Sequence, residues 1–140
     1  MKKAVLLFTG VWAMLIFSSC QNKTVQLLAK KWDCIKVDNL DTPVKGFESL
    51  EDSINTVRLH SALESLSWTF TTTMQYECAV AGRVSVRGTY ELTDDEKVLV
   101  CTPSSGNTVN RYTINTLTEY DLVLSSIANN APLVLHFKSQ

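Results

Sequence analysis

The chain changes its hydrophobic rhythm twice. Ala4 to Phe17 is a continuous apolar run, AVLLFTGVWAMLIF, interrupted only by Thr9 and Gly10. Ser49 to Glu64 instead repeats apolar residues at helical spacing. Leu50, Ile54 and Val57 share one stripe, and Leu59, Leu63 and Leu66 form a second. Ser49 with Asp52 resembles a capping box, so a helix is expected there. From Leu66 onward the period is two. Trp68 and Phe70 alternate with Ser67, Thr69 and Thr71; Met74, Tyr76, Cys78 and Val80 alternate with Gln75, Glu77 and Ala79. Val84, Val86, Gly88, Tyr90 and Leu92 alternate with Ser85, Arg87, Thr89 and Glu91. Such alternation is that of antiparallel strands with one buried face.

Turn chemistry divides this region into short pieces. Ala81-Gly82, Thr93 to Lys97, Pro103 to Gly106, Thr116 to Thr118 and Ala128 to Pro132 are polar or glycine- and proline-bearing breaks. Between them lie strands at Val98 to Thr102, Val109 to Asn115, Glu119 to Ser125 and Leu133 to Phe137. Trp32 to Val37 adds another, with either face able to enter the core, and Leu27 to Lys31 reads as one helical turn before it. The count is about eight antiparallel strands, with one helix inserted after the first strand and a loop at Asp38 to Gly46. Close spacing of short strands predicts a mainly β fold, a closed barrel or a sandwich. The predicted inward set is Trp32, Trp68, Phe70, Tyr76, Tyr90, Tyr112, Leu124, Leu135 and Phe137.

The apolar run at the start has a different purpose. Met1-Lys2-Lys3 is a short positive head, and Ser18 and Ser19 are small residues before Cys20. Positive head, apolar centre and small-residue end are the order of a secretory signal, and the run is shorter than the roughly 20 residues of a spanning helix. Phe17-Ser18-Ser19-Cys20 resembles the lipobox of bacterial lipoproteins, with Phe17 in place of the usual Leu. That resemblance implies cleavage before Cys20 and acyl chains on its thiol, several of which give stable anchoring. The expected organisation is a signal peptide over residues 1–19, a lipidated tether over 20–26 and a β-barrel domain over 27–140. The expected location is the cell envelope, with Gln21 after the cysteine favouring the outer membrane.

Composition narrows the chemistry. Of 140 residues, 45% are apolar, which excludes a disordered chain. Removing Lys2 and Lys3 with the leader leaves 11 basic against 14 acidic residues, a net charge of −3. The mature part therefore has neither the basic footprint of a nucleic-acid binder nor a polybasic membrane patch. Cys34, Cys78 and Cys101 remain once Cys20 is acylated, each mid-strand in apolar surroundings. Buried free thiols are the leading reading, and one disulfide is the other. His60 in the helix and His136 near the end lack carboxylates at ligand spacing, and Asp94-Asp95-Glu96 lacks the glycine of a calcium loop, so no metal is expected. No G-x-S-x-G, phosphate loop or H-E-x-x-H is present. Neither a cofactor nor an enzyme activity is expected.

Several segments carry a family resemblance: Leu28-Ala29-Lys30-Lys31-Trp32, then Trp68-Thr69-Phe70, then Gly88 through Leu99. The closing Thr113-Ile114, Leu122-Val123-Leu124 and Leu133 to Phe137 complete it. Over Leu27 to Lys138 the chain resembles the lipocalin-like domains of Bacteroidetes lipoproteins. Lys30 stands where that family tends to have Gly, and Thr71-Thr72-Thr73 replaces its usual Asp-Gly turn. The resemblance implies a small eight-stranded up-and-down barrel. Such a barrel either fills with side chains or keeps room for one small ligand. A pocket lined by Trp68, Tyr76 and Tyr90 would take a small apolar ligand or an envelope component. The alternative is a solid barrel that engages an envelope protein through the loops Asp38 to Gly46 and Pro103 to Asn107.

Overall fold

The computed structural model describes residues 22–39, 58, 61–106, 108–127 and 132–140. Eight antiparallel strands close into an up-and-down barrel of lipocalin-like form. They are β1 (Lys31–Asp38), β2 (Leu66–Phe70), β3 (Gln75–Val80), β4 (Arg83–Thr93), β5 (Val98–Pro103), β6 (Asn110–Leu117), β7 (Asp121–Ser126) and β8 (Val134–Ser139). Each strand pairs with the next and β8 returns to β1, so closure removes every sheet edge.

A short helix, α1 (Lys23–Leu28), covers the end where β1 begins. The sequence pattern places one helical turn at Leu27 to Lys31; the structure starts it at Lys23, and Lys31 is already strand. The local reason is Asn22, whose side chain caps the helix by accepting from the Thr24 amide at 2.9 Å. Val25 and Leu28 are buried, and Trp32 Nε1 donates to the Leu28 carbonyl at 2.9 Å. Trp32 is thereby the plug of this end, which is the floor of the barrel. Lys30 secures the same corner: its Nζ lies 5.4 Å from the Trp32 ring centroid and donates to the Glu119 carbonyl at 2.9 Å.

Three one-residue bulges explain where simple alternation fails. In β1 the pairing with β8 shifts between Cys34 and Lys36, so Trp32 and Cys34 point inward and then Val37 does, while Ile35 is left 56% exposed. This settles the face of β1. In β4 the shift falls opposite Cys78 and Ala79, so Val86 stays on the inner face while Val84 is turned to solvent. Val84 is therefore a correction to the predicted inward row. In β6 the shift lies between Ile114 and Thr116, and the strand runs on to Leu117 instead of breaking there. Met74 also leaves its predicted strand, taking a φ of 61° in the β2–β3 turn.

Of the predicted helix, Arg58 and residues 61–64 are helical. The rest of it, with His60, lies outside the described residues. So do Cys20 and the leader, and the loop from residue 40 to 46. Among the described residues no helix is long and apolar enough to cross a membrane.

Candidate functional site

The barrel interior holds an aromatic cluster centred on Trp68. Its ring lies 5.7 Å from Phe70, 6.2 Å from Tyr76, 5.8 Å from Phe137 and 5.2 Å from Tyr112, the last edge-on. Phe70 extends the cluster to Tyr76 at 6.3 Å and to Tyr90 at 5.2 Å, again edge-on. Cross-strand register produces this gathering, with Trp32 opposite Trp68, Trp68 opposite Cys78 and Phe70 opposite Tyr76. Edge-to-face pairs of this kind add about 0.5–1.5 kcal/mol each beyond their area burial.

The predicted lining residues Trp68, Tyr76 and Tyr90 are thus brought together inside the barrel, all buried, and all nine predicted inward residues belong to the core or pack against it. Burial is uneven along the barrel: Leu92 and Leu117 at the floor are partly covered, and Val37 and Leu66 near the other end are buried. Trp32, Phe70, Phe137, Leu99 and Leu122 are sealed, whereas Cys78, Val80, Val86, Tyr112 and Leu133 are only partly covered. Those partly covered side chains lie toward the opposite end, the mouth, where β1, β3, β5 and β7 finish.

The polar atoms in this interior are unequally served. Tyr90 Oη donates to the Thr71 carbonyl at 2.7 Å. Trp68 Nε1 is buried without a hydrogen-bond partner. It lies near enough to the Cys78 sulfur to favour a thiolate there, yet does not reach hydrogen-bonding geometry to it. An orphaned buried donor of this kind costs about 1–3 kcal/mol. The sequence gives no sign of it, because it follows from the rotamer of one side chain in a closed barrel.

The interior favours neutral groups throughout. No charged or polar residue is buried among the described residues. Burial pushes Cys101 up to about 12, with Cys78 adding to the effect. Burial likewise raises Cys34 and Cys78. The Tyr76 hydroxyl is pushed up to about 12 by burial and by the nearby Cys101 and Cys78, and burial raises Tyr90 and Tyr112 too. All three thiols are free and protonated at neutral pH, so they are poor nucleophiles.

The outer surface offers less. A groove of about 480 Å³ crosses β2 to β4, lined by Thr69, Thr71, Gln75, Glu77, Arg87 and Thr89 among others. Its one cation, Arg87, is already held by Glu77 at 2.8 Å. At the mouth, His136 faces outward and its Nε2 meets Asp38 Oδ2 at 2.8 Å, while Lys36 reaches the other oxygen at 2.8 Å. The Lys36 hydrogen bond, then that of His136, holds the Asp38 carboxyl below its ordinary value. Asp94, Asp95 and Glu96 form a left-handed hairpin turn, and Glu96 reaches back to the side chains of Asn22 and Thr24. Among the described residues no group of three or more His, Cys, Asp or Glu gathers to hold a metal ion.

Comparison of the chain with protein-family profiles, with curated proteins and with solved structures returned no match. What the chain shows of itself is a closed, lipocalin-like, eight-stranded β-barrel with an aromatic, uncharged interior.

Proposed function

We propose that this chain is a lipid-anchored lipoprotein of the bacterial cell envelope, of the Bacteroidetes lipocalin-like type. In this reading its barrel binds a small apolar molecule non-covalently and performs no catalysis. Cys20 carries the acyl chains, and Gln21 favours the outer membrane. The observation that carries the binding reading is the Trp68 indole N–H, buried in the aromatic cluster with no hydrogen bond of good geometry. A bound molecule that presents an oxygen to this donor would remove the cost of leaving it unpaired.

The surroundings define the class of molecule. With no buried cation among the described residues, a carboxylate would enter unpaired and at high cost. A neutral body with one acceptor, such as a ketone, ester or alcohol on an apolar frame, fits the chemistry. Tyr112 is the ring that gives way: it meets Trp68 edge-on from the opposite side of the barrel and is only partly buried.

Native mass spectrometry of protein purified from envelopes tests this. The expected spectrum shows a neutral adduct that is weakened in Trp68→Phe and retained in Trp32→Phe, whose indole already serves Leu28. An adduct-free spectrum, together with no uptake of neutral apolar probes, would overturn it.

A second reading has its own observation. Val84, Val109 and Ile127, at 46%, 47% and 57% exposure, stand at the mouth end of the barrel. Isolated exposed apolar residues are ordinary, but three on one rim suit a protein partner. Crosslinking through these positions in intact envelopes should then yield one defined partner; a spread of abundant proteins would dismiss it.

A further inference from the structure

We infer that the barrel stands on the membrane with its α1-capped floor against the bilayer and its mouth turned away. The inference rests on the proposed acylation of Cys20 and adds to it an orientation that the anchor alone does not supply.

The argument is one of reach. Only Gln21 separates Cys20 from Asn22, the N-cap of α1. Two residue steps span at most about 7 Å. The start of α1 is itself fixed to the floor. Val25 and Leu28 are buried, and Asn22 and Thr24 are tied to Glu96 in the β4–β5 hairpin. The acylated residue therefore leaves the folded body at the floor with almost no slack. β1 has eight residues, which at about 3.3 Å each and a tilt near 40° rise roughly 20 Å along the barrel axis. The mouth stands that much farther from the lipid.

The surface of the floor suits this contact. Its hairpin tips expose Met74, at 40%, and Tyr120, at 63%. Tyrosine is at home in the headgroup layer, with an apolar ring and a polar tip. Charges at this end are mixed, with Lys23, Lys30 and Lys97 set against Asp94, Asp95 and Glu119. The acyl chains, rather than attraction to anionic lipid, thus hold the floor down. A molecule entering the barrel comes from the aqueous side, handed over by a carrier or partner, and not sideways out of the leaflet that holds the anchor.

The test uses the mature lipidated protein in vesicles of neutral phosphatidylcholine that contain a nickel-chelating lipid. Nitroxide labels are placed at Tyr120→Cys and Ile127→Cys, both exposed sites, with labelled wild type correcting for native thiols. The lipid-borne nickel should relax the label at position 120 several-fold more than that at 127. A second pair, Met74→Cys against Val84→Cys, should repeat the order and guards against one variant failing to fold. Equal relaxation, or stronger relaxation at 127 and 84, overturns the orientation. Flotation and intact mass are read on the same sample. An unacylated Cys20 and a protein that does not float would refute the anchoring reading, and the orientation with it. Wrong relaxation in a floating, acylated protein refutes the orientation alone.

Discussion

Replacing Gly88 by alanine should unseat β4 from β5. An added Cβ would lie 2.1 Å from the Thr102 carbonyl oxygen, 2.8 Å from Pro103 Cα and 2.8 Å from Tyr76 Cε1. Two of these three are backbone atoms of the paired strand, so rotamer changes do not relieve the clash. The strands must part where Gly88 faces Pro103 and where the Ser104 amide donates to the Arg87 carbonyl at 2.8 Å. Overpacking of a closed core costs about 1–3 kcal/mol, and one or two weakened hydrogen bonds add about 1 kcal/mol each. Reduced freedom of the unfolded chain returns about 0.4–1 kcal/mol. The net loss is about 3 kcal/mol, a large share of the 5–15 kcal/mol typical of a domain. At roughly 4–8 °C per kcal/mol, Tm should fall by about 12–24 °C. Urea and thermal unfolding of the mature chain, followed by Trp32 and Trp68 fluorescence, measure it. Gly82→Ala is the control. It has open space and a φ of 76°, so only left-handed strain of about 1–2 kcal/mol applies. A Gly88→Ala protein as stable as wild type, or no worse than Gly82→Ala, would refute the close approach of these strands.

Other expectations follow from the same interior. Tyr90→Phe removes the shorter of two hydrogen bonds to the part-buried Thr71 carbonyl, which keeps the Met74 amide at 3.3 Å, and should cost about 1 kcal/mol in urea unfolding, with the fold retained. Glu96→Ala removes the side-chain bonds to Asn22 and Thr24 and should raise amide exchange across α1 at a cost of about 1 kcal/mol, while the strands stay protected. The Cys101 thiol, raised by burial from 9.0 to about 12, is protonated in both states below pH 9 and contributes its full stability there. Above that the unfolded chain ionises first, so stability declines as pH climbs toward 12, by up to roughly 4 kcal/mol at about 1.4 kcal/mol per tenfold in proton affinity. Cys101→Ala should lessen that alkaline decline in chemical-denaturation midpoints, leaving the part due to the other raised thiols and tyrosines; an unchanged decline would mean the Cys101 thiol does not contribute.

The barrel was legible where residues alternate without interruption. Trp68-Thr69-Phe70 and Leu133 to Phe137 announce their inner faces, and the aromatic gathering follows from pairing them. The bulges at Ile35, Ser85 and Asn115 were not legible, because an extra residue in a strand changes no local propensity and is fixed only by the partner strand. That is why β1 had no readable face and Val84 went to the wrong one. The start of α1 depends on Asn22 acting as a cap and on Glu96, seventy-four residues away, meeting it. The orphaned indole of Trp68 has no sequence signature at all. Its neighbour Trp32, with the same side chain, is satisfied by a carbonyl four residues behind it.

That contrast provides the sharpest test of a binding interior. In mature protein labelled with nitrogen-15 tryptophan, the two indole N–H signals can be followed while a medium-chain methyl ketone is titrated in. Binding among the aromatic rings should move the Trp68 signal downfield in a saturable way and leave that of Trp32 in place. If the Trp68 signal stays fixed up to the solubility limit of the ketone, or if both signals drift together without saturation, the interior is a packed core and the binding account is wrong.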